Sequence, residues 1–90
     1  MKKAIVTVIG HDRVGIIAAV STCLAKYQVN ILDITQTVLQ NYFTMIMLTD
    51  ISKTSVSYEE LVDVLNQLAS DLEMTIRIQH EDIFEAMHRI

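Results

Sequence analysis

Apolar positions along the chain follow two rhythms, and the switches between them mark its elements. Residues 3–9 form a β-branched, apolar run of strand length. From 15 to 27 the apolar residues stand at 16, 17, 20, 23, 24 and 27, the spacing of one helical face. Residues 29–39 return to strand character, rich in Val, Ile and Thr and alternating through Asp33, Thr35 and Thr37, and residues 42–51 resume it. Between them Gln40 and Asn41 are polar enough to turn the chain, so the pair reads as a β-hairpin. A polar loop over 52–57 ends in Ser57 with Glu60 three residues on, a capping box in which hydroxyl and carboxylate each take a free N–H. The helix that starts there carries Leu61, Leu65, Leu68, Ala69 and Leu72 on one stripe. Residues 74–80 alternate again, and residues 81–90 place Ile83, Phe84, Met87 and Ile90 at helical spacing.

The resulting order is βαββαβ with a short C-terminal turn or helix. Two right-handed crossovers around a hairpin predict an α+β, ferredoxin-like fold, a four-stranded antiparallel sheet with two helices on one face. The second sheet face then has no cover of its own. In the third strand Phe43, Met45 and Met47 alternate with Tyr42, Thr44, Ile46 and Leu48, so neither face is cleanly polar. Cover for that face or for the sheet edge is expected from a second copy, which makes the protein a homodimer.

Composition narrows the class. Ninety residues, half of them hydrophobic, make one domain over 1–90, with its core at about 3–80 and a tail at 81–90. No proline and no Gly/Ser linker interrupts it. The start Met1-Lys2-Lys3 and its apolar run stop at Gly10-His11-Asp12-Arg13 without a small-residue cleavage site, so they read as a first strand and not as a signal peptide. No apolar run approaches the roughly 20 residues that cross a bilayer, and a single cysteine forms no internal disulfide. A soluble, cytoplasmic protein without membrane contact is expected. The net charge of −4, without a basic stripe, argues against nucleic acid as a partner.

Candidate chemistry concentrates in the turn Gly10-His11-Asp12-Arg13-Val14-Gly15 between the first strand and the first helix. Asp12 is placed to cap the helix, Gly15 lets a ligand approach closely, and Arg13 can pair with a carboxylate. Taken alone, these residues are also ordinary turn and cap chemistry. Glu81, Glu85 and His88, beside His80, share a helical face at metal-ligand spacing, yet the ligand set is not closed, and no metal or other cofactor is expected. Cys23 lies on the apolar stripe of the first helix, where burial raises a thiol's pKa, and no histidine is placed beside it as a base. Arg13 with Asn30 or Asn41 could mimic the pair of a small acyl-phosphate or phosphoryl hydrolase, although the longer glycine-rich turn that such chemistry uses is absent. The first turn holds no Cys-x-x-Cys for a soft metal, and Tyr42 and Phe43 stand at the hairpin rim, away from an RNA-stacking position. Met45, Met47 and Met74 read as core and dimer filling.

The run Gly10-His11-Asp12-Arg13-Val14-Gly15-Ile16-Ile17, continued by Ala19-Val20-Ser21-Thr22-Cys23-Leu24-Ala25 and Val29-Asn30-Ile31-Leu32-Asp33-Ile34, resembles the ACT domain family over nearly the whole chain. Within it the chain is most similar to small stand-alone members, to the N-terminal part of formyltetrahydrofolate deformylases and to the glycine-cleavage regulator. The resemblance implies a non-enzymatic regulatory module that binds a small metabolite, most plausibly an amino acid, at a homodimer interface and acts on a protein partner in trans. It implies that Asp12, Arg13, Val14, Gly15 and Ile16 form the loop offering backbone groups to the ligand, while Asn30 and Ile31 face that ligand across the interface. Many members carry a glycine just before the Asn-Ile pair, where this chain has Gln28-Val29, which implies a narrower pocket. A ligand-free dimerisation module is the alternative.

Overall fold

A computed structural model describes residues 2–83. It contains β1 (Lys3–His11), α1 (Ile16–Lys26), β2 (Asn30–Leu39), β3 (Tyr42–Asp50), α2 (Tyr58–Leu72) and β4 (Thr75–His80). The four strands form one antiparallel sheet in the order β2-β3-β1-β4. This is the expected ferredoxin-like arrangement, with boundaries within two residues of those the periodicity marks. β1 runs two residues past Ile9, because Gly10 and His11 still pair with Phe43 and Tyr42 of β3.

The core lies between the sheet and the helices. Ala4, Val6 and Val8 of β1 and Phe43, Met45 and Met47 of β3 are buried beneath Ile16, Val20 and Leu24 of α1 and Leu61, Leu65 and Ala69 of α2. Burial of each large side chain contributes about 1.5–3 kcal/mol, and this layer is the main source of stability. Phe43 belongs to the core, and of the two aromatic residues expected at the hairpin rim only Tyr42 is exposed. The one buried polar residue among those described, Thr49, donates its hydroxyl to the Ala4 carbonyl at 2.8 Å, so its burial leaves no unmet donor.

The other sheet face is open and mixed, as the third strand predicts. By register Ile9 and Ile46 lie there among Thr7, Thr35, Thr44 and Arg77, and Ile9 and Ile46 are exposed. β2 is an edge strand, and it carries a bulge between Ile31 and Asp33. Both helices end in the same way. After α1, Gln28 takes a left-handed φ of 62° while Gln28 and Val29 donate to the carbonyls of Ala25 and Leu24. After α2, Glu73 at φ 56° and Met74 repeat the pattern on Ser70 and Ala69. The chain becomes helical again at 81–83, and the apolar tail positions Phe84, Met87 and Ile90 lie outside the described residues.

Candidate functional site

With β1 extended to His11, the turn into α1 shortens to residues 12–15, and three contacts fix it. The His11 ring stacks on Tyr42 with centroids 5.1 Å apart, and the Asp12 N–H donates to the Asn41 carbonyl of the hairpin turn at 2.7 Å. Arg13 Nη1 donates to the Leu72 carbonyl at the end of α2 at 2.8 Å. At the root of the turn Gly10 leaves room for Met74, since a Cβ there would run into the methionine sulfur. Val14 at the apex is fully exposed.

The expected cap is not formed. Gly15, at φ 88°, occupies the N-cap position of α1, and no side chain caps the helix. Asp12 lies three residues too early, because the longer β1 shifts the turn along the chain. The first amides of α1 therefore lack a side-chain acceptor, and the Asp12 carboxylate is exposed without a capping role. At α2 the serine half of the capping box is present, with Ser57 Oγ accepting the Glu60 N–H at 3.1 Å. The returning bond from the Glu60 carboxylate is not made.

Beside the bare start of α1 opens a cleft of about 540 Å³. Asp12, Arg13 and Gly15 line its mouth, Ile16, Ile17 and Ala18 one wall, and Gln36, Val38 and Phe43 of the hairpin the other. Ile17 and Val38 are exposed into this region while Ile16 and Phe43 are buried, so the accessible walls are apolar below a polar rim. Gln36 and Val38 were missed by motif reasoning, yet the signal exists. A two-residue hairpin turn sets Val38 opposite Phe43, which pairs in turn with Gly10.

Of the residues singled out from the sequence, Asp12, Arg13, Gly15 and Ile16 line this cleft, with Val14 at the apex beside it. Asn30 and Ile31 do not join them. They start β2 at the far end of the sheet, where Asn30 borders a separate depression with Gln28, Val29, Asp50 and Lys53. Six residue steps along the strand separate Asn30 from Gln36, about 20 Å at the usual rise. In that depression Asp50 Oδ1 accepts both the N–H and the hydroxyl of Ser52, which holds its carboxyl below the usual range.

The remaining candidates are quiet. Burial pushes the half-buried Cys23 thiol up, away from a reactive thiolate. His80 stacks on Tyr58 with centroids 4.3 Å apart. Among the described residues no cluster of His, Cys, Asp and Glu could hold a metal, and Glu85 and His88 lie outside them. Among these residues, too, no helix is long and apolar enough to cross a membrane.

Comparison with known proteins gives one consistent result. The family model of the ACT domain matches residues 2–79. A UPF0237 protein of Clostridium acetobutylicum is 53% identical over 98% of this chain and 99% of its own length. Among solved structures, an ACT domain protein from Streptococcus pneumoniae shares 41% identity over 97% of this chain and 98% of its own, with a TM-score of 0.81. A formyltetrahydrofolate deformylase from Pseudomonas syringae pv. tomato, 22% identical, shares the fold over 89% of this chain and 28% of its own, with a TM-score of 0.82.

Proposed function

Because the chain belongs to the ACT domain family of regulatory, small-ligand-binding modules, we propose that it senses a free amino acid at a homodimer interface and acts on a protein partner in trans. The observation that carries this reading is the uncapped start of α1 opening into a cleft with an apolar interior. Unpaired amides at a helix start attract a carboxylate, through their hydrogen bonds and through the helix dipole. The exposed Asp12 carboxylate is available to an ammonium group on the same rim. Ile17 and Val38 then favour an aliphatic ligand side chain, worth about 0.8 kcal/mol for each CH₂ buried. In this reading the protein is a cytoplasmic regulator without catalytic residues, and in the empty cleft the Arg13 guanidinium is engaged at Leu72.

The dimer supplies the missing half of the site. β2 is a ten-residue edge strand with no proline, lysine or arginine to discourage pairing, whereas the opposite edge, β4, carries Arg77. Antiparallel self-pairing of β2 would bring the Asn30 end of the partner's strand toward the hairpin end of β2 that lines the cleft.

A thermal-shift screen of the twenty amino acids tests the reading. A true ligand at about a hundred times its dissociation constant stabilises by about 2.7 kcal/mol. A flat screen would leave the ligand-free dimerisation module as the better account. Sedimentation showing only monomer at micromolar concentration would remove both readings.

A further inference from the structure

The side chain of Arg13 belongs to two places at once. It lines the cleft, and its guanidinium reaches across to the last carbonyl of α2. The last turn of α2 contains no basic residue, and Asp71 and Glu73 add negative charge beside carbonyls that already carry the negative end of the helix dipole. Arg13, 59 residues away in sequence, supplies the missing cation. The junction it holds, Leu72-Glu73-Met74, passes through a left-handed residue and rests its methionine on Gly10 at the root of the turn.

From this arrangement we infer that Arg13 is a two-position latch, closed on α2 when the cleft is empty and drawn to the ligand carboxylate when it is filled. The inference rests on the amino-acid reading above. Its direction follows from bond strength. With the Leu72 carbonyl the guanidinium makes one hydrogen bond in which only the donor is charged, whereas with a carboxylate both partners are charged and the pair can be bidentate. Arg13 is exposed, so little packing opposes the swing. Once the guanidinium leaves Leu72, the end of α2 frays, and the signal emerges at the junction leading into edge strand β4, where a protein partner can read it. Arg13 is thus a positioning and signalling residue as well as a ligand contact.

Amide exchange measured by NMR on the whole protein tests the latch, with an equimolar mixture of the twenty L-amino acids as the probe. Without the mixture, Arg13→Ala should speed exchange at Glu73 and Met74 on the order of fivefold and leave Glu60, at the start of α2, unchanged. Adding the mixture to the wild-type protein should slow Ile17 and Ala18 and speed Glu73 and Met74 together. Arg13→Gln keeps a donor for the carbonyl but loses the charge, so the mixture should slow Ile17 and Ala18 there without touching Glu73 or Met74. Slowing at Ile17 and Ala18 in the wild-type protein with no change, or with slowing, at Glu73 and Met74 would overturn the latch and leave the site standing. No effect at Ile17 and Ala18 would overturn both.

Discussion

The two helices start differently. Ser57, with extended φ and ψ of −66° and 161°, aims its hydroxyl at the Glu60 amide, and Glu59 and Glu60 add favourable charge to the first turn of α2. Gly15, at φ 88° and ψ 3°, has neither a side chain nor the extended geometry from which one could cap, and the first turn of α1 contains no acid. One start satisfies itself and only holds the fold together. The other leaves its donors for something else, and it is the one that borders the cleft.

Four measurements would break or sharpen that contrast. The largest effect is expected from Gly15→Val. No atom crowds a Cβ at that position, but the left-handed backbone costs a non-glycine residue about 1–2 kcal/mol. The variant should melt lower and lose the ligand-induced stabilisation of about 2.7 kcal/mol in the amino-acid screen. A full ligand shift in Gly15→Val would show that the bare helix start is not the binding element. Next, Ser57→Ala should lower stability by about 1 kcal/mol in urea unfolding while the ligand shift stays intact, because the capped start has a structural role only.

A smaller effect, of opposite sign, is expected at the far end of α1. Gln28→Gly relieves a left-handed residue and should stabilise by about 0.5 kcal/mol, the relief being partly offset by the greater freedom of glycine in the unfolded chain. Should Gln28→Gly also increase the amino-acid shift, the glutamine side chain narrows the pocket. The smallest effect concerns pH at the capped start. Burial raises the pKa of the Tyr58 phenol, whose hydroxyl donates to the Ile78 carbonyl. The fold thus prefers the neutral phenol, and stability should hold up to the usual tyrosine range and fall as pH rises above it. Tyr58→Phe should flatten that alkaline limb in a melt-versus-pH series.

Much of this was legible before any coordinates. Ser57 and Glu60 announced the start of α2, because a cap is a local signature four residues long. The alternation of β3 separated Phe43, Met45 and Met47 from Tyr42, Thr44, Ile46 and Leu48, but with neither set cleanly polar it did not show which face is buried, and Phe43 read as hairpin rim. The turn was harder to read. Asp12 is a favoured capping residue, and only the pairing of Gly10 and His11 with β3 shows that β1 carries it past the capping position. The bond between Arg13 and Leu72 joins residues 59 apart, and no local pattern encodes it. Asn30 and Ile31 illustrate a third kind of difficulty, since their motif is plain while one chain holds them away from Asp12.

The pairing of β1 with β4 has a consequence for how such a unit travels. Ala4 faces His80 in that ladder, so the first and last strands leave the sheet side by side on neighbouring rungs. A compact body whose entrance and exit are adjacent can be spliced into a longer polypeptide, or joined end to end and reopened elsewhere, with little disturbance to its interior. The hairpin end, where Gln40 and Asn41 connect β2 to β3, is the natural place to cut a permuted version, apart from its bond to the Asp12 amide. A break there would test whether the turn beside the cleft depends on an unbroken neighbour.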